Sequence, residues 1–210
     1  MSRSTFRGEP KRLLERAAEL MPEGAVMPRE QAQALIEKVV KMSKADEITI
    51  NLNTGYQADV RFAANQMSTS GGVVNGQIGI QSAFGKKHAA AVTNDFSDAS
   101  LRRTVEQSEA LAKLSPDDPE TMPGLTAQTY VPVNGYFDST ANLTPEDRAR
   151  AALTALEPAR KAGDLKAAGF IVVNAGANAL GNNHGLFAYN RSTNANYTLT
   201  VRTDDGTGSG

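Results

Sequence analysis

The apolar spacing changes period near residue 46, and that change limits the fold more than any other feature of this 210-residue chain. Over 28–43, Ala32, Leu35, Ile36, Val39 and Val40 recur at helical spacing, behind Pro28 in the first-turn position that proline tolerates. Beyond it, Ile48, Ile50 and Leu52 alternate with Glu47, Thr49 and Asn51, and Ala58, Val60 and Phe62 alternate with Gln57, Asp59 and Arg61. Period two with one polar side marks strands buried on one face, as in antiparallel sheets. Asn53-Thr54-Gly55, between the two runs, reads as a hairpin turn. After a glycine-rich stretch (Ser70-Gly71-Gly72, Asn75-Gly76), a second strand pair is expected at 77–84 and 88–93 around Gly85-Lys86-Lys87. The fold class that follows is α+β, a mostly antiparallel sheet covered by helices.

Further helices are expected on either side. Leu13, Leu14, Ala17, Ala18 and Met21 form an apolar stripe over 10–21, broken by Pro22-Glu23-Gly24. Ser97 caps a helix over 98–114, with Asp98 in the first turn where the helix dipole favours an anion. Residues 115–142 hold Pro116, Pro119, Pro123 and Pro132 and read as a linker with one short extended piece at 129–133. Thr144-Pro145-Glu146-Asp147 is a strong helix start, and Pro158 is expected to kink that helix or end it early. Strands are expected at 169–173, 186–190 and 196–202, with Asn182-Asn183-His184-Gly185 as a turn. These elements suggest an N-terminal α+β lobe (1–115), a linker (116–142) and the start of a second α/β lobe (143–210). That lobe holds one helix and a few strands before Thr207-Gly208-Ser209-Gly210, so it reads as incomplete. Strand 196–202 is then expected to leave an unpaired edge, which favours self-association.

The net charge of −1 supplies no field for a polyanion, which argues against a nucleic-acid partner. The absence of cysteine excludes disulfides and thiolate metal sites. No apolar run approaches the length of a membrane helix, and residues 1–10 lack the apolar core of a signal peptide, so no membrane partner is expected and the default location is the cytoplasm.

No motif supplies catalysis. His88 and His184 lie far apart with no second histidine at chelating spacing, whereas a zinc site takes three or four protein ligands. Ser68, Ser70, Ser82 and Ser209 sit near glycines, but none occupies a Gly-x-Ser-x-Gly elbow between strand and helix. Gly71-Gly72 and Gly76-x-x-Gly79 lack the lysine and the strand-to-helix context of a phosphate loop. Asp117-Asp118 and Asp204-Asp205 read as solvated turns, and Lys86-Lys87-His88 as a hairpin tip without aromatic platforms for bases. The reading assigns no catalytic, cofactor-binding or metal-binding residue to this chain.

Order and spacing of several segments carry a resemblance. The run Val60-Arg61-Phe62-Ala63-Ala64-Asn65-Gln66, a glycine-broken hairpin, residues 88–95, and a helix ending in Ser115-Pro116-Asp117-Asp118-Pro119-Glu120 resemble the first domain of the TldD/PmbA family, also called the modulator of DNA gyrase family. Residues 182–193, containing Gly185-Leu186-Phe187-Ala188-Tyr189-Asn190-Arg191-Ser192-Thr193, and the final Asp204-Asp205-Gly206-Thr207-Gly208-Ser209-Gly210 resemble later family segments. The wording of these two segments resembles the TldE/PmbA-type subunit more than the TldD type.

The resemblance implies part of a heterodimeric metallopeptidase acting on unfolded peptides, in which a TldD-type partner carries zinc on a His-Glu-x-x-x-His motif. That motif is absent here, so the chain is expected to be inactive alone and to contribute to the chamber around the substrate. The other function the resemblance raises is a regulatory module acting on a partner such as DNA gyrase.

Overall fold

In the computed structural model, residues 24–210 are described; the helix expected over 10–21 lies outside them. Strand alternation persists where the sequence suggested turns. β1 (Glu47–Ala63) is continuous, with Asn53-Thr54-Gly55 inside it, and β2 (Gln66–Phe84) runs through the glycine-rich stretch. The two pair antiparallel from Glu47 opposite Ala83 to Ala63 opposite Gln66. The chain reverses at Ala64-Asn65, both left-handed with φ of 47° and 62°, as a two-residue type I′ turn requires. Asparagine tolerates that conformation and alanine does not advertise it, which is why the turn was expected too early.

Tertiary bonds hold this turn in place. Asn65 Nδ2 donates to Leu165 O at 2.8 Å, and Asn65 Oδ1 accepts from Ala167 N at 2.7 Å. The Arg160 guanidinium donates to Asn65 O at 2.6 Å and 3.1 Å. Three further strands complete the sheet: β3 (Lys87–Thr93), β4 (Leu165–Asn182) and β5 (Phe187–Thr203). The order is β3-β2-β1-β4-β5, antiparallel throughout.

This order corrects the expectation of an incomplete second α/β lobe. β4 pairs with β1 from Thr49 opposite Asn182 to Phe62 opposite Gly169, so β4 and β5 extend the first sheet. The reason is edge pairing: β1 needs a neighbour on each side, and β4 satisfies its second row of backbone groups. The separately expected strands 186–190 and 196–202 are one strand, β5, on the outer edge. Near its end, residues 208–210 return along it: Val201 N donates to Gly210 O at 2.8 Å and Thr203 N to Gly208 O at 3.0 Å.

Four helices are described: α1 (Arg29–Val40), α2 (Asp98–Leu114), the short α3 (Asp138–Ala141) and α4 (Pro145–Lys161). Pro28 is the residue before α1 and not its first turn. Ser97 caps α2, and Thr144 with Asp147 forms a reciprocal capping box on α4. Pro158 does not end α4 early; the helix runs on to Lys161. Sitting in the last turn, the proline removes a bond where few remain to be lost.

α1, α2 and α4 cover one face. Ala32, Ile36, Val39, Leu101 and Val105 pack on Ile48, Ile50, Leu52, Ile78 and Ile80. Ala152, Leu156 and Ala159 pack on Val60, Phe62, Ile171 and Val173. Polar groups buried under α2 are paired: Ser82 Oγ meets Ser108 Oγ at 2.7 Å, and Glu109 accepts from Ser43 Oγ at 2.8 Å and Lys44 N at 2.6 Å. No helix among the described residues is long and apolar enough to cross a membrane.

Candidate functional site

The opposite face of the sheet carries the positions that alternate with the core. Along β1 these are Thr49, Asn51, Asn53, Gly55, Gln57, Asp59 and Arg61. Their cross-strand neighbours make the surface unusual. One row across four strands reads Gln77, Asn53, Asn178, Asn190. The next reads Asn75, Gly55, Gly176, Ser192, and the third Val73, Gln57, Asn174, Asn194. No charged side chain stands in these three rows. Asp59 and Arg61 begin only beyond them.

The middle row is low because Gly55 and Gly176 face each other. A Cβ at Gly55 would lie 2.7 Å from Ala175 O, so close backbone approach demands glycine there. A depression of about 250 Å³ results, lined by Gly55, Gln57, Asn75, Asn174, Gly176 and Asn194. A larger groove of about 570 Å³ adjoins the Asn53 row and is bounded by Tyr130, Val131, Pro132 and Val133.

Those four residues belong to the segment expected as a linker, which follows the sheet closely. Asp118 N donates to Lys86 O at 3.0 Å, and Gly124 N to Glu47 Oε2 at 3.1 Å. Asn182 Nδ2 donates to Leu125 O at 2.8 Å, and Thr193 N to Gly135 O at 2.9 Å. The Arg191 guanidinium then lies 4.4 Å from the centroid of the Tyr136 ring. The segment thus runs from the β2–β3 turn to the outer edge of β5, bordering the open face.

Both histidines lie along this border. His184 Nε2 is 3.5 Å from Glu47 Oε1, and His88 Nε2 is 3.9 Å from Asp118 Oδ2. His88 and Glu47 sit two strands apart through Ala83, roughly 10 Å at sheet spacing. Zinc needs three or four ligands around one point, and the described residues gather no group of three potential ligands. They do not fit a zinc ion. Of the serines singled out in the sequence, Ser82 is buried against Ser108, and Ser70 Oγ donates to Asp59 O at 3.1 Å. Asp205 holds the final turn: it accepts from Thr203 Oγ1 at 2.6 Å, Thr207 Oγ1 at 2.8 Å and Thr207 N at 3.1 Å. Those bonds, Thr203 foremost, lower its pKa to about 2.

An antiparallel sheet with one helical and one amide-lined face, led by a long β1–β2 hairpin, defines an α+β domain in which the described helices cover only one side of the sheet. Residues 50–112 match the family model for domain 1 of the PmbA/TldA metallopeptidases. Among solved structures it is similar to TldE from Thermococcus kodakarensis, with a TM-score of 0.77 and 16% identity over 83% of this chain and 40% of that one. It is also similar to proteins described as candidate modulators of DNA gyrase. The one from Thermotoga maritima has a TM-score of 0.67 and 11% identity, covering 81% of this chain and 42% of that one. The one from Bacteroides thetaiotaomicron has a TM-score of 0.68 and 14% identity, covering 81% and 39%. At such identities the likeness shows the fold. The chain spans about two fifths of the length of these structures. No curated protein matches it.

Proposed function

We propose that this chain is the non-catalytic N-terminal part of a TldD/TldE-type metallopeptidase subunit of the TldE kind, forming a wall of the chamber that handles unfolded peptides. The observation that carries this reading is the open, uncharged amide face, on a fold shared with TldE. Such a face holds no acid, base or nucleophile poised for chemistry. It offers hydrogen bonds of both senses to a passing chain. The catalytic zinc belongs in this reading to a TldD-type partner, which brings the His-Glu-x-x-x-His motif.

The test is reconstitution. The chain alone should cleave no unfolded peptide. Mixed with a subunit carrying His-Glu-x-x-x-His, it should co-purify and raise chelator-sensitive cleavage above that of the partner alone. Cleavage by this chain unaided, or a partner indifferent to its presence, overturns the proposal. Two relatives described as gyrase modulators favour a second reading, a module that regulates gyrase. A change in gyrase supercoiling on adding the chain, without any effect on peptidase activity, would select it.

A further inference from the structure

We infer that the three rows at the centre of the open face form a trough for the main chain of an extended, unfolded peptide lying across the strands. This rests on the reading of the chain as a peptide-handling wall, and it names the atoms that would do the holding. The floor is Gly55 and Gly176, where no side chain rises, with Asn75 and Ser192 at its two ends. One wall is Gln77, Asn53 and Asn178, and the other Gln57, Asn174 and Asn194. The walls stand four residues apart along each strand, about 14 Å. A peptide running between them has its backbone about 7 Å from each row, a span that an Asn or Gln side chain and one hydrogen bond cover.

The chemistry selects the occupant. A primary amide carries both an acceptor oxygen and two donor hydrogens, so it can meet either a peptide N–H or a peptide C=O. An extended strand presents both along each edge, repeating whatever its side chains are. None of the six wall amides makes a side-chain hydrogen bond to another described residue, so their donors and acceptors remain for a ligand. Peptide side chains on one side would point at the glycine floor and on the other away from the sheet. The trough therefore reads backbone and tolerates sequence. Polyanions find no cation in these rows, and bases or sugar rings find no aromatic plane to stack on. Hydrogen bonds exchanged against water are individually weak, so capture should be weak and rapidly reversible, as a chamber that passes many sequences requires.

The side-chain NH₂ signals of a ¹⁵N-labelled chain test this directly. The probe is an uncharged, end-capped peptide of alternating alanine and threonine, titrated to millimolar concentration. The shifts should fall on Asn53, Gln57, Asn174 and Asn178 and should not weaken with added salt. Methylating alternate main-chain nitrogens of the probe should reduce affinity about tenfold, the effect of losing one or two hydrogen bonds. The double variant Asn53→Leu, Asn178→Leu keeps the branching at Cγ at exposed positions while removing the amide donors and acceptor, and should show the same loss, while Asn53→Gln should restore binding in the single-site comparison. Absence of shifts at these side chains overturns the inference. So does equal binding of the methylated probe or of the double variant, or displacement of the peptide by a neutral oligosaccharide. The titration uses no partner subunit, so a failed reconstitution and a failed titration remain separate results.

Discussion

Neighbouring residues of β1 live in opposite worlds. Ile50 is fully buried beneath α1 and α2, while Asn51 stands exposed on the other face. The helical face is built of shape: branched and aromatic side chains fill the space under three helices. The open face is built of hydrogen-bonding capacity, held on a backbone that the first face makes rigid. The difference teaches that stability and recognition can be divided between odd and even positions of one strand. A change on one face should then leave the other's property nearly untouched.

The largest expected effect tests that division. Ile50→Ala should destabilise the fold by about 2–5 kcal/mol through lost burial and a cavity. Asn51→Ala, one residue away, should stay within about 0.5 kcal/mol. Urea melts of both variants measure this, and comparable losses would break the comparison. Next comes the polar seam under α2. Glu109→Ala removes the acceptor for Ser43 Oγ and Lys44 N and should cost about 1–3 kcal/mol, because it leaves donors unsatisfied. An unchanged melting midpoint would show that water replaces the carboxylate.

A smaller effect is expected where α4 begins. Thr144→Ala breaks the capping box and should cost about 1 kcal/mol, with Thr144→Ser recovering most of it. Thermal unfolding of the two variants decides. The smallest is a local pH effect beyond both faces. The pKa of Asp205 is lowered from 3.8 to about 2, so its carboxylate supports the 203–208 turn above pH 4 and releases it as pH falls through about 2. The amide signal of Thr207 should titrate with that midpoint while signals from Ile50 and Leu101 stay fixed. A midpoint near 4 would mean that the turn bonds do not hold the anion.

Much of the helical face was legible in the sequence. The stripe of Ala32, Ile36 and Val39, the cap at Ser97 and the Thr144-Pro145 start all stand where local spacing put them. Strand ends were not. Asn53-Thr54-Gly55 has turn composition, yet Gly55 serves close packing against Ala175 O. Ala64-Asn65 turns the chain, held by Leu165, Ala167 and Arg160 from the far end of the sequence. The open face was half legible: alternation showed that Asn51 and Gln57 face away from the core, but not that Asn174, Asn178 and Asn194 stand beside them.

Local sequence was enough to show which side of β1 is buried, where α2 and α4 begin, and which family the chain resembles. These are set by periodicity, capping and local motif order, interactions that reach no further than a few residues. The tertiary structure alone decided that β4 joins β1, so that a presumed second lobe became the other half of one sheet, and that scattered amides form adjoining rows. Such pairings join residues more than a hundred positions apart, as Thr49 with Asn182. Their backbone hydrogen bonds are alike at every register. Only the fit of whole faces against α1, α2 and α4 selects among them.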